Sequence, residues 1–455
     1  MAPTDDHVDA PAQLLIEHAD VLTDVTPTGL EVLRDRTIVC REGAIAAITP
    51  SDEVGHLDAV ERIDATGRLA VPGLINTHTH APMVLLRGVA EDVTIESWFN
   101  DLIWPMESNL TPALVRLGAQ LACAEMIAAG VTTFADHYFA MDEVTDVVVA
   151  CGLRADLGSA FFSTDGADGL ARSLDFALRR RGDGDGRVTT SLAPHATYTV
   201  TDDDLTAAAE QARVHGLRLH LHAAESRDQT DASLAAHGVT PIEVLRRTGV
   251  LDAGVLIAHG TGIVDQDLAT LAAHADRIGV ASSPKGYLKA AWSTTPIRAL
   301  TEAGVPVGLA TDGAAIHNTL DVWESLRLTA LIQKDHEHDP TWMTRFRALH
   351  HATEQSAAVL DRRGELGRLA VGARADVALV DLGGAHVRPL HDVAAALVHS
   401  VRASDVRTTI VDGRVLFHDG RHTTIDLPAL LDEVDHEVAA LTDVSHGRRI
   451  QTYDA

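Results

Sequence analysis

The chain has 455 residues, 46% of them hydrophobic, and a formal charge of -28, enough for one large core and a smaller second unit. That acidity, with Lys285, Lys289 and Lys334 the only lysines, excludes nucleic acid and anionic membranes as partners. Cys40, Cys123 and Cys151 are widely spaced without a CxxC pair, which excludes a disulfide framework and a thiolate zinc site and fits a reducing cytoplasm.

Taken in chain order, Met1 to Gln13 has no basic or apolar export region, and nowhere do about 18 apolar residues run uninterrupted, so an unexported, soluble chain is expected. Residues 1–70 contain short β-type runs such as Leu14-Leu15-Ile16 and Thr37-Ile38-Val39-Cys40 with turn residues between them and no helices. From 71 to 365, apolar strand-like runs alternate with helical stretches, the pattern of parallel β/α units. Eight such runs end near Asn76, Ala135, Phe161, Ala193, Leu221, Ala258, Ala281 and Ala310. Intervening segments such as Pro112 to Ala129 and Leu205 to His215 have helical spacing with Thr or Asp before them. Eight units close a (β/α)8 TIM barrel. Residues 366–425 return to strands, Ala375 to Val380 and Thr408 to Val415 around a Gly turn, so the two chain ends are expected to complete one small β-sandwich. Residues 426–455 read as a closing helix, Leu427 to Leu441, and a tail; Arg181 to Gly186 is a Gly-rich loop.

In such a barrel the functional side chains stand at the C-terminal ends of the strands. The first strand ends in Asn76-Thr77-His78-Thr79-His80, two imidazoles on the same side of an extended chain. The fifth supplies His222 with Glu225 three residues on, the sixth His259, and the eighth Asp312. Imidazoles with a carboxylate form a nitrogen and oxygen donor set suited to Zn2+ or Fe2+, with a position left for a catalytic water. With 25 histidines in the chain, single ones are ordinary: His220 reads as a core histidine, and His137 and His317, which could each line the pocket, read more readily as loop histidines.

The segments NTHTHAPMVLLRG, LHLHAAES, IAHG, LATDGAA and GRLAVGARADVALVDL, in this order, resemble the amidohydrolase superfamily. The closest likeness is to its branch of methylthioadenosine/S-adenosylhomocysteine deaminases and triazine hydrolases. The resemblance implies one divalent metal ion held by His78, His80, His222 and Asp312, with Glu225 as the acid/base group and His259 beside it. No carboxylated lysine is found in the fourth strand, against the two-metal branch. Glu107 matches the carboxylate that takes ribose hydroxyls, or else is a solvated helix-start acid. His195 matches a substrate-contacting histidine. The seventh strand departs from the family, reading Ser282-Ser283-Pro284-Lys285, and Lys285 becomes a candidate substrate contact, although a rim lysine is more often free in solvent. After the third strand, where relatives place an arginine for an amino-acid carboxylate, this chain has Ser159. Phe161 and Phe162 there, and Trp98 and Trp104, wall the pocket or finish the core.

The expected function is hydrolytic deamination of an aminated N-heterocycle, a nucleoside, pterin or triazine. Hydrolysis of a C-Cl, C-S or amide bond in a related small molecule is the alternative within enzymes, since the same machinery serves several leaving groups. A catalytically silent barrel used for binding would show missing ligands, and none is missing. A homodimer or homotetramer is expected from the resemblance alone.

Overall fold

The computed structural model describes residues 11–55 and 57–453; positions 1–10, on which most of the expectation of an unexported chain rests, lie outside the described residues. Both chain ends contribute to one mixed sheet. Its strands are β1 (Ala12–Thr26), β2 (Gly29–Arg41), β3 (Ala44–Pro50), β4 (Ala59–Asp64) and β5 (Arg68–Pro72). The barrel follows as β6 (Leu74–Thr79), β7 (Val131–Tyr138), β8 (Arg154–Phe161), β9 (Val188–Pro194), β10 (Arg218–Ala223), β11 (Val255–His259), β12 (Ile278–Ser282) and β13 (Val307–Leu309). The sheet is completed by β14 (Val377–Asp381), β15 (Val406–Val411), β16 (Arg414–His418) and β17 (Arg421–His422).

The terminal sheet runs β17-β16-β15-β14-β5-β1-β2-β3, with β4 beside β1. One long strand serves two partners because β1 bends at His18, whose φ is 58°. Before the bend Leu14 to Glu17 pair with β4, and after it Asp20 and Val21 pair with β5. The sheet therefore folds around its own apolar core of Leu14, Ile38, Ile45, Val377, Leu379 and Ile410. The β15–β16 turn at Asp412-Gly413 has φ of 48° and 69°, the left-handed pair that a tight hairpin needs.

The eight barrel strands are parallel and adjacent in sequence order. The seam between β13 and β6 is closed by single bonds rather than a ladder: Thr77 Oγ1 donates to Leu309 O at 2.9 Å and Asp312 N to His78 O at 3.0 Å. Strands β6, β7, β11 and β12 are buried throughout, which is why they read as continuous runs. Thr111 and Thr201 cap the helices Pro112–Ala128 and Asp202–His215 by accepting from the third backbone N–H beyond.

A buried ion triad joins barrel to sheet. Arg154, 1% exposed, opens β8 and donates from Nε to Asp376 at 3.1 Å and from Nη2 to Asp412 at 2.6 Å. Asp376 lies immediately before β14, and its carbonyl accepts from Gly73 N at 2.9 Å, at the foot of the first barrel strand. The closing helix, Leu427–Glu437, seats Leu430 against Leu117 and Ala124. Among the described residues no helix is long and apolar enough to cross a membrane, and the three cysteines are buried and unpaired.

Candidate active site

The strand ends converge as their sequence spacing implies. His78, His80 and His222 can each offer one ligand atom within 4.8 Å of the others, and so can His78, His259 and Asp312. Chain geometry enforces this convergence at some expense. Ala224, His259 and Asp312, at or just beyond the ends of β10, β11 and β13, have φ of 49°, 78° and 63°. Non-glycine residues adopt such values at a cost of order 1 kcal/mol or more each, and they concentrate at functional sites.

The hydrogen bonds around the cluster define its electrostatics. His80 Nδ1 faces His137 O at 2.6 Å and His222 Nδ1 faces His195 O at 2.8 Å. A carbonyl only accepts, so each Nδ1 carries the proton and each Nε2 presents a lone pair. These two Nε2 atoms stand 3.2 Å apart. His78 Nε2 and His259 Nδ1 are buried without a hydrogen-bond partner. Lone pairs facing one another and unpartnered buried nitrogens are costly in the absence of a cation. Burial pushes the imidazoles of His78, His222 and His259 below their ordinary range, His259 to about 3, and so disfavours their charged forms. Burial alone would raise the Asp312 carboxyl, but the nearby rings of His78, its Nε2 3.6 Å away, of His259 and of His80 outweigh it and hold the group well below the carboxylate range. Neutral imidazoles and one carboxylate are the donor chemistry of a divalent ion site.

His220, read as a core histidine, also faces the cluster. It lies two residues before His222 on a regular strand, its Nε2 2.8 Å from His78 Nδ1. It thus holds the His78 ring from behind. Glu225 is buried 4% exposed, and burial first, then the charge of Asp312, push its carboxyl up to about 8. Tyr198 OH donates to its Oε1 at 3.3 Å, and Thr261 Oγ1 clamps its backbone carbonyl at 2.5 Å.

A cavity with about 630 Å³ of non-atom space, open solvent at its mouth included, opens onto this cluster. Trp98, Glu107 and His195 line it as expected, with Trp104 and Phe162. Phe161 turns instead into the core. Glu107 is buried, not a solvated helix-start acid: burial raises its carboxyl to about 7, against a hydrogen bond from Tyr138 OH at 2.6 Å. His137 is a correction to the loop reading. β7 runs to Tyr138, placing the buried His137 ring on the wall of the cavity. His317 is buried with Nδ1 on Thr319 O at 2.8 Å and does not line the cavity.

The structure does not bring Lys285 or Ser159 to the cavity. Lys285 Nζ is 2.9 Å from Glu324 Oε2, an ion pair that turns it away. Strand alternation gives the wall Ala160 and Phe162 and leaves Ser159 off it. Among the described residues no lysine or arginine lines the cavity.

Residues 69–416 match the sequence model of the amidohydrolase family. The chain belongs to this family. It is an amidohydrolase, a hydrolase of C–N bonds, and its relatives span nearly its whole length. It is 36% identical over 432 residues, 93% of this chain and 99% of the other, to a protein named 5-methylthioadenosine/S-adenosylhomocysteine deaminase from Haloarcula marismortui. A protein named 5'-deoxyadenosine deaminase from Methanosarcina mazei is 37% identical over 426 residues, 93% of this chain and 96% of its own. Among solved structures, an adenosine deaminase from Xanthomonas campestris with bound zinc superimposes with a TM-score of 0.88 at 29% identity, covering 94% of this chain and 98% of that one.

Proposed function

We propose that this amidohydrolase is a metal-dependent deaminase of an uncharged aminopurine nucleoside. The reading is carried by one observation: a buried carboxyl, Glu225, stands beside Asp312 and the converging imidazoles at the base of an aromatic cavity without a cationic side chain. The names of the relatives support the deaminase chemistry and the purine. The absence of a lysine or arginine on the wall disfavours substrates with a phosphate or an amino-acid carboxylate.

His78, His80, His222 and Asp312 would hold one divalent ion, Zn2+ or Fe2+. When bound, such an ion acidifies a water toward neutrality. Glu225 as carboxylate accepts the proton of the attacking water and, as the carboxylic acid that its burial favours, passes it to a ring nitrogen, making the adjacent carbon electrophilic. Asp312 relays the second proton to the departing amine, so that water and the aminated ring give the oxo ring and ammonia. His259 stabilises the charge that develops at the reacting carbon. Trp98, Trp104 and Phe162 exclude water around the ring. The Glu107 oxygen not engaged by Tyr138 accepts from a sugar hydroxyl, and His195 contacts the substrate beside His222. A cytoplasmic homo-oligomer belongs to the same reading.

The test is ammonia release by the metal-loaded protein over aminopurine nucleosides, aminopyrimidines, pterins and triazines. Aminopurine nucleosides are expected to be the best substrates. Glu225→Gln should keep its metal and lose about 100-fold to 10,000-fold in kcat. Release of chloride or thiol without ammonia, or full turnover by Glu225→Gln, refutes the assignment.

A further inference from the structure

The chain beyond the closing helix does not simply trail away. Asn109 Nδ2 donates to Leu441 O at 3.0 Å and to Asp443 O at 2.7 Å. Further on, Ile450 N donates to Trp104 O at 3.3 Å. At Tyr453 the side-chain amide of Asn100 pairs with the main chain in both directions: Tyr453 N donates to Oδ1 at 2.9 Å and Nδ2 donates to Tyr453 O at 2.8 Å. Asn100, Trp104 and Asn109 belong to the excursion after β6 that also supplies Trp98, Phe99 and Glu107 to the cavity. The segment 441–453 is therefore tied along the wall of the site.

The ring that this tether delivers is buried, 4% exposed. Tyr453 stacks on Phe99 with centroids 4.9 Å apart and planes at 16°, and meets Tyr198 edge-on at 5.6 Å and 83°. Phe99 and Tyr198 line the cavity, and Tyr198 also donates to Glu225. Tyr198 has a second neighbourhood as well. With Thr452, Asp202, Asp203 and His237 it lines a separate polar groove on the outside. Tyr198 thus faces both spaces, with Tyr453 packed against it. Aromatic pairs in these geometries stabilise beyond the area they cover, so the Tyr453 ring is well held.

We propose that Tyr453, which does not itself line the cavity, is a specificity-determining residue: packed behind Phe99 and Tyr198, it holds that side of the cavity closed and limits the size of the substituent a substrate carries there. The inference rests on the nucleoside reading above and names its preferred class, nucleosides with a hydrogen or small apolar group at the 5′ carbon. Because Asn100 grips main-chain atoms, Tyr453→Ala removes the ring while the tether stays in place. The space vacated lies directly behind Phe99 and Tyr198.

The experiment compares kcat/KM for 5′-deoxyadenosine and for adenosine carrying a 5′-benzylthio group, in the zinc-loaded wild type, Tyr453→Ala and Tyr453→Phe. Tyr453→Ala is expected to shift the ratio toward the bulky substrate by about 10-fold or more, the scale on which apolar pocket contacts discriminate. Tyr453→Phe keeps the stack and the wild-type ratio. An unchanged ratio in Tyr453→Ala, or a parallel fall for both substrates, overturns the proposal. Acrylamide quenching of tryptophan fluorescence, with Trp98 and Trp104 on the wall, gives a readout independent of turnover: quenching should rise in Tyr453→Ala, and no rise overturns the closure. If the wild type deaminates neither nucleoside, the deaminase reading fails by itself, and quenching decides the closure.

Discussion

Replacing Arg154 with methionine would strip the cation from the joint between barrel and sheet. The side chains of Asp376 and Asp412 are only 5% and 11% exposed, and the guanidinium reaches both, at 3.1 and 2.6 Å. Without it Asp376 keeps a bond from Asp412 N at 2.9 Å, and Asp412 keeps the more exposed Arg374 at 3.6 Å. Breaking a buried pair while leaving its carboxylates behind costs about 3–5 kcal/mol. A chain of 455 residues loses stability near its melting point at roughly 1 kcal/mol per degree, from an unfolding entropy of about 2 cal/mol/K per residue. The expected fall in Tm is therefore about 3–5 °C by calorimetry. Arg154→Met combined with Asp376→Leu removes one stranded charge and should regain much of the loss. A single variant that melts within about 1 °C of wild type, or a double variant no better than the single, would refute a joint held by this triad.

Removing the bond behind His78 in His220→Phe should weaken metal binding by about 10-fold to 100-fold, the usual effect of losing a partner of a ligand histidine. Competition with a chelator measures it, and unchanged affinity would return His220 to a packing role. Glu107 gives a pH signature. Its buried carboxyl is raised from 4.5 to about 7, so the folded protein holds that proton more tightly than the unfolded chain. The resulting stability is complete below about pH 4.5 and is lost as pH rises through about 7, a span worth about 3 kcal/mol. Glu107→Gln should therefore gain in relative Tm between pH 5 and pH 8, and a constant difference from wild type would contradict the burial.

The converging cluster was legible in part from strand parity and position: His78 and His80 are two apart, and His222, His259 and Asp312 stand at or just beyond the ends of apolar runs. Parity also contained His220, two before His222, but a lone core histidine is the commoner case, and the bond to His78 depends on the spacing of two strands that are distant in sequence. His137 could be weighed as a pocket contact but read more readily as a loop histidine, because β7 continues to Tyr138, beyond the point where its apolar run stops. Lys285 stood out by rarity, yet its partner Glu324 lies on a later helix, and no local pattern announces such a pair. The role of Tyr453 was equally hidden, since it arises from where a long tail crosses the barrel.

The pairing of β5 with β14 sets a timetable. Pro72 meets Val377, roughly 300 residues later, so at ribosomal rates of about 5–20 residues per second the partner of β5 emerges some 15–60 seconds after it. During that interval β5 has an open edge, able to pair with another nascent chain. It is flanked by β1, which is already available on its other side, and so is half protected. The acidic character of the chain adds repulsion between neighbours on a polysome. Arrival of β14, with Asp376 just before it, then seals the edge and fixes the foot of the strand that carries His78, so the first barrel strand is fully anchored only when the C-terminal strands are being made.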